Sequence, residues 1–201
     1  MTDLNELRNE TAKTMRRLVT RGLTTTTGGN VSARAESGAI CITPSQIDKE
    51  FITADQIGII SQDSVYLEEG LKLSMETAMH QMVYRRRPEV RAVVHAHPPW
   101  ATSFTASASE KLKTDLIAET WALLGNPVWV PYALMGTGDL ADRVGEAIGK
   151  GDVLLLENHG VIAVGTCLWQ AFSRLEALEE AAKISVITRM IGEQHPPGDR
   201  K

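Results

Sequence analysis

The segment Val93-Val94-His95-Ala96-His97-Pro98-Pro99-Trp100 sets two histidines one residue apart, after two β-branched aliphatics and before two prolines. Alternate side chains of a strand share a face, so both imidazoles point the same way, about 6–7 Å apart along the strand. That spacing lets both rings reach one small cation. A hydrogen-bonded pair of core histidines satisfies the same pattern, and the dyad alone leaves both readings open. A third ligand must come from His80, His159 or His195. His159 occupies an Asn-His-Gly turn behind the apolar run Val153–Leu156, and Gly160 beside it lets backbone approach closely. His80 lies four residues after Glu76, on the same face of a helix. His195 belongs to the polar terminus and is expected to be solvated. Three imidazoles around an open position are the donor set of catalytic zinc.

Small residues form a second group. In Thr26-Thr27-Gly28-Gly29-Asn30-Val31-Ser32 a Gly-Gly-Asn turn opens a strand, and its backbone N–H groups can form a concavity for an anion. Thr43 and Ser45 flank Pro44 at a chain reversal, and Ser74 opens a helix whose unpaired N–H groups favour a phosphate. Taken alone, each segment is better explained as an ordinary turn or cap.

The elements that must position these groups follow from periodicity. A helix is expected over 3–21, with Leu4, Leu7, Met15, Leu18 and Val19 on one stripe and Gly22 closing it. Val31, Ala33 and Ala35, then Ile40 and Ile42, predict a hairpin, and residues 57–61 a short strand. A helix capped by Ser74 runs to about Arg86, before Pro88. Strands are expected at 91–97 and 127–132, with broken helix over 98–125. A helix follows over 139–151, then two strands over 152–165 that meet at the Asn-His-Gly turn, and a long helix over 168–191. Hairpins mixed with helical crossovers predict an α/β fold: one mixed, largely antiparallel sheet with helices on both faces.

Bulk properties bound the function. The 201 residues suit a single domain, and 43% hydrophobic with 23% charged residues is a soluble, globular balance. A net charge of −4 offers no nucleic-acid footprint, and Arg85-Arg86-Arg87 reads as a solvated helix end. Cys41 and Cys167 lie in apolar segments without a CxxC motif, and both are expected to be reduced core residues. The N-terminus is polar and no apolar run reaches transmembrane length, so no membrane association is expected and the expected location is the cytoplasm.

Taken in order, Gly29-Asn30-Val31-Ser32, Thr43-Pro44-Ser45, Ser74-x-Glu76-x-x-x-His80, Val93-Val94-His95-x-His97 and Asn158-His159-Gly160 resemble the class II aldolase/adducin family, and within it the fuculose-1-phosphate aldolase group. The likeness spans about residues 4–191. It implies a three-layer α/β/α sandwich on a predominantly antiparallel sheet. It also implies a homotetramer with active sites between subunits, and one zinc per subunit on His95, His97 and His159. Glu76 matches the carboxylate that completes the zinc shell at rest and serves as the base. Gly28, Gly29, Asn30, Thr43, Ser45 and Ser74 match the substrate and phosphate cradle, and His80 matches a position that is not a ligand. The activity implied is zinc-dependent cleavage of a ketose-1-phosphate to dihydroxyacetone phosphate and an aldehyde through a zinc-stabilised enediolate.

The chain also departs from that pattern. Met75 stands where relatives often carry a second serine, and Gln46 where many carry glycine. Relatives of the fuculose type use tyrosines of a neighbouring subunit as acid and pocket wall. Here the matching region reads Leu116-Ile117-Ala118-Glu119-Thr120-Trp121, and no tyrosine follows Tyr132. Glu119 is the candidate for the vacant acid, and 193–201 is expected to be a flexible tail, with His195 a lesser candidate. The same fold also carries pentulose-phosphate 4-epimerases, sugar-phosphate dehydratases, decarboxylases and non-enzymatic adducin-like modules. Retention of His95, His97, His159 and Glu76 together argues against the last.

Overall fold

A computed structural model describes residues 4–61, 65–109 and 111–192. Its first element, helix α1 (Leu4–Thr20), buries Thr11, Ala12, Met15 and Leu18 on one stripe, and ends where Gly22 takes a φ of 67°. A hairpin follows, β1 (Asn30–Arg34) with β2 (Ile40–Ile42), and then β3 (Gly58–Ile60) and β4 (Val65–Tyr66). Helix α2 (Thr77–Arg86) crosses to β5 (Ala92–Ala96). Two short helices, α3 (Pro99–Thr105) and α4 (Ala118–Leu124), lead to β6 (Val128–Val130). Helix α5 (Gly138–Ala147) precedes the hairpin of β7 (Val153–Leu156) and β8 (Gly160–Gly165), and α6 (Leu168–Ile191) closes the described fold.

These strands form one sheet in the order β4-β3-β2-β1-β5-β8-β7-β6. Among the described strands only β6 and β7 run parallel; every other pair is antiparallel. Both faces are covered, so the central strands are buried along their length. Alternation sorts their side chains into two cores. Val31, Ala33, Ala92, Val94, Val161 and Ala163 pack under α1, α3, α4 and α6. Val93, Ile162 and Val164 face α2 and α5. By the same alternation Asn30, Ser32 and His95 look toward the α2 side. Register places Asn30 opposite His95, with His95 opposite Ile162 on the other flank. The three-layer α/β/α sandwich expected from the motifs is therefore present.

Several local expectations change. The helix expected from Ser74 begins at Thr77. Ser74 occupies the turn before it, where its hydroxyl accepts weakly from the Glu76 N–H at 3.3 Å rather than capping a full turn. The strand expected to include His97 stops at Ala96, so His97 projects from the chain just beyond the sheet. Strand β4, two exposed residues long, gave no periodic signal. Cys41 is buried as expected, but Cys167 is exposed ahead of α6. Arg87 is not simply solvated: it binds Asp152 at 2.6 Å, which Arg174 also meets. The tail at 193–201, His195 included, lies outside the described residues.

The closest backbone approach that shapes the site lies at Gly160. A Cβ there would stand 2.6 Å from both the Ala96 carbonyl oxygen and His97 Cδ2. Gly160→Ala should therefore push β8 from β5 and displace the His97 ring. Overpacking of this kind costs about 1–3 kcal/mol, and thermal unfolding should show Tm falling by several degrees.

Candidate metal centre

Three parts of the chain bring the centre together. The end of β5 delivers His95 and His97, the β7–β8 turn delivers His159, and the residue preceding α2 delivers Glu76. Asn158 in that turn has a φ of 52°, which an asparagine tolerates better than most residues, and the reversal presents His159 to the strand ends. The three ring centroids are 4.8, 4.9 and 5.6 Å apart, and one nitrogen from each ring lies within 4.8 Å of the others. Glycines flank His97: a Cβ at Gly28 would lie 3.0 Å from its Nδ1, and one at Gly160 would strike its Cδ2.

Hydrogen bonding decides which atoms are free. His95 is fully buried, and its Nδ1 donates to the Val161 carbonyl at 2.9 Å. In the neutral ring Nε2 then carries the lone pair, and it faces Glu76 Oε2 at 3.2 Å. His159 Nε2 lies 3.1 Å from Glu76 Oε1. His95 Nε2, His159 Nδ1 and Glu76 Oε1 are buried with no hydrogen-bond partner, so these short approaches are contacts without hydrogen-bonding geometry. A lone pair opposed to a carboxylate in a buried site calls for a cation. Three imidazoles and one carboxylate, with a carbonyl orienting the first ring, fit a metal ion.

Electrostatics agree. Burial opposes ionisation of Glu76, but positive charge beside it, carried by protons on His95 and His159 where no cation is bound, and the Asn30 amide outweigh it and hold the group well below the usual carboxylate range. Glu76 is thus a carboxylate. Burial, reinforced by the neighbouring His95 and His159, pushes His97 down to about 3, which keeps its ring neutral and able to donate a lone pair. Burial lowers the inner His80 to about 3 as well.

The remaining site residues divide. Asn30 Nδ2 donates to Glu76 Oε2 at 2.6 Å, so Asn30 joins the centre. Gly29 takes a φ of 64°, and the Gly28-Gly29 turn lies against His97 and the His95 carbonyl. Thr43 is fully buried, and its Oγ1 accepts from the Val31 N–H at 3.1 Å, extending the hairpin ladder. Ser45 bridges to the segment before Ser74, donating to the Leu73 carbonyl at 3.0 Å. Gln46, in the place of a glycine, holds a φ of 61°. Met75 is exposed. Glu119 is exposed on the first turn of α4, and among the described residues no hydrogen bond, ion pair or ring contact joins it to the histidines.

Lys49 was not legible in the sequence. Between Asp48 and Glu50 it resembles a surface charge, yet it is 3% exposed. Its Nζ donates to the carbonyls of Thr27 at 3.0 Å and Gly28 at 3.1 Å, and also to that of Gly29. Three carbonyls drawn to one ammonium turn the following N–H groups the other way, because the N–H and C=O of a peptide plane point in opposite directions. Burial lowers the Lys49 ammonium to about 8 against the pull of Glu76. Lys49→Met keeps the stem but orphans these carbonyls, and leaving a buried acceptor unpaired costs about 1–3 kcal/mol. Denaturant titration should show a lower midpoint with an unchanged slope.

Comparison with known proteins adds a frame to this geometry. Residues 9–186 match the family described as Class II Aldolase and Adducin N-terminal domain. A 5-deoxy-D-ribulose 1-phosphate aldolase of Bacillus thuringiensis serovar kurstaki is 33% identical over 94% of this chain and 89% of its own. A 3-oxo-tetronate 4-phosphate decarboxylase of Escherichia coli O6:H1 is 30% identical over 90% of this chain and 86% of its own. The solved L-fuculose-1-phosphate aldolase of Thermus thermophilus superposes with a TM-score of 0.81 at 28% identity, over 94% of this chain and 97% of that one. Near-complete coverage by sequence and by structure, around a three-histidine centre, places the chain in the class II aldolase and adducin family, whose aldolases depend on a metal.

Proposed function

We propose that the protein is a zinc-dependent aldolase that cleaves a ketose-1-phosphate to dihydroxyacetone phosphate and an aldehyde. The observation that carries this reading is the buried carboxylate of Glu76, set against the unpaired Nε2 of His95 and held by Asn30. His95, His97 and His159 would hold zinc, and Glu76 would share the metal until substrate takes its place. Zinc bound there supplies a Lewis acid for the substrate carbonyl.

The chain's own residues do the rest. In cleavage the C4 hydroxyl gives up its proton, the C3–C4 bond breaks, and the electron pair moves toward the C2 carbonyl. Glu76, a carboxylate at rest, would take up a proton from solvent once substrate displaces it and deliver that proton to C3; in condensation it removes it. Confinement beside Asn30 gives the carboxylate one orientation. The turn Gly28-Gly29-Asn30, with Ser45 and Ser74, receives the phosphate, and Lys49 shapes its N–H groups. Thr43 contributes by fixing the strand beneath. Phosphate binding lies away from the reacting bond, where its energy orients the substrate. Glu119 would accept the C4 hydroxyl proton from a neighbouring subunit of a homotetramer. The exposed apolar residues Ile187, Met190 and Ile191 at the end of α6, and Leu134 and Met135 before α5, support such an assembly. No described helix is long and apolar enough to cross a membrane, which accords with a cytoplasmic enzyme.

A second reading is decarboxylation of a phosphorylated keto acid, favoured by the similarity to the 3-oxo-tetronate 4-phosphate decarboxylase. Both reactions leave a carbanion beside a carbonyl and need the same metal and proton donor. They differ in whether an aldehyde or carbon dioxide departs.

Two tests decide. Zinc-loaded protein, screened against sugar-1-phosphates, should release dihydroxyacetone phosphate, and Glu76→Gln should keep zinc yet slow hydrogen exchange at C3 of dihydroxyacetone phosphate by about 100-fold or more. Release of carbon dioxide from keto-acid phosphates, with no aldehyde from any ketose phosphate, establishes the second reading instead. Metal analysis after dialysis should find about one zinc per chain in the wild type and most of it lost in His159→Ala. Full retention in that variant removes His159 from the ligand set.

A further inference from the structure

Five polar side chains form one buried line between the sheet and α2. Asn30 Nδ2 meets Glu76 Oε2 at 2.6 Å. Asn30 Oδ1 meets His80 Nε2 at 2.5 Å. His80 Nδ1 meets Ser32 Oγ at 2.6 Å, and that oxygen meets the Tyr84 hydroxyl at 2.8 Å. Ser32 and His80 are fully buried, and Tyr84 is 3% exposed. The residues come in matched steps. Asn30 and Ser32 are two apart on β1, and His80 and Tyr84 are four apart on α2, so each pair presents one face to the other.

The chemistry of the groups permits one direction only. An ionised carboxylate accepts, so Asn30 must present its NH2 to Glu76. Its Oδ1 then faces His80 and can only accept, which puts the proton of His80 on Nε2. A neutral imidazole protonated there has an accepting Nδ1, so the Ser32 hydroxyl donates to it. That spends the one proton of Ser32, and Tyr84 must donate to Ser32. Every donor along the line points toward Glu76, and aligned hydrogen bonds polarise one another.

We propose that Ser32, His80 and Tyr84 are positioning residues for the reaction: a one-way hydrogen-bond chain that fixes the Asn30 amide and so orients the Glu76 carboxylate. The role rests on the reading of Glu76 as the base. The line itself is a property of the folded chain and can be read without turnover. Tyr84 stands at the far end of the line from Glu76, beyond Ser32 and His80, so the chain carries an effect to the centre from a group that touches no substrate.

The test uses the full-length, zinc-loaded protein labelled with 15N. Two-bond 1H–15N correlation should show His80 as the neutral Nε2–H tautomer, and in Tyr84→Phe the His80 Nδ1 resonance should move because the donor behind Ser32 is gone. Tyr84→Phe keeps the ring and should fold. His80→Leu removes the link, whereas His80→Gln retains an amide donor toward Asn30. In C3–H exchange of dihydroxyacetone phosphate, kcat should fall about 10–100-fold in His80→Leu, a size typical of groups that orient metal-site residues, with KM nearly constant and part of the rate restored in His80→Gln. A His80 protonated at Nδ1, an unmoved His80 signal in Tyr84→Phe, or equal rates in the Leu and Gln variants would overturn the proposal. No exchange in the wild type, with the expected tautomer present, would instead overturn the base role of Glu76 and, with it, the catalytic purpose of the line.

Discussion

With the His95 ring neutral, two acceptors face each other at 3.2 Å in a buried site: the Nε2 lone pair of His95 and the carboxylate of Glu76. Water is excluded from His95, and its other nitrogen is committed to Val161. A buried acceptor without a donor costs free energy, and a buried charge without a partner costs more. A cation between them turns that cost into binding energy, which is why the donor set fits a metal. Other features follow from the need to hold this arrangement. Gly160 and Gly28 leave room for the His97 ring, Asn158 turns the chain so that His159 arrives, and α2 begins at the residue after Glu76.

The sheet separates structural from chemical work. On one side of β1 and β5, Val31, Ala33, Val94 and Ala96 pack into an apolar core under α1 and α6. On the other, Asn30, Ser32 and His95 meet α2, and polar atoms are bonded in sequence. A partly satisfied polar network would destabilise this layer. This one is completed up to the metal site, where the partnerless atoms of Glu76, His95 and His159 gather. Within this layer the unpaired acceptors gather around the three histidines.

The similar proteins include aldolases and decarboxylases. Under either proposed reaction a carbanion beside a carbonyl must be stabilised, and that task would fall to the inner centre. The departing half of the substrate would then be met by more peripheral groups. Met75 and Glu119 are exposed, and among the described residues Glu119 has no link to the histidines within one subunit. Under the proposed function, selectivity among departing groups would depend on surfaces around the centre, where single contacts are worth about 1–3 kcal/mol.

The sequence by itself determined the layers and most of the centre. Period 2 in Val31–Ala35 and period 3.6 in α1 are local, and local spacing was enough to predict the hairpin, the long α6 and a largely antiparallel sheet. Five short motifs in fixed order named the histidines, Glu76 and Asn30. What only the tertiary structure decided depends on contacts between distant residues. Lys49 is unremarkable among its charged neighbours, and its role exists only because the 27–29 carbonyls fold over it. Ser32 and Tyr84 have ordinary strand and helix positions until β1 and α2 pack with His80 between them. The free nitrogen of His95 is set by a carbonyl 66 positions away, and no spacing along one segment encodes which lone pair a neighbouring strand will leave open.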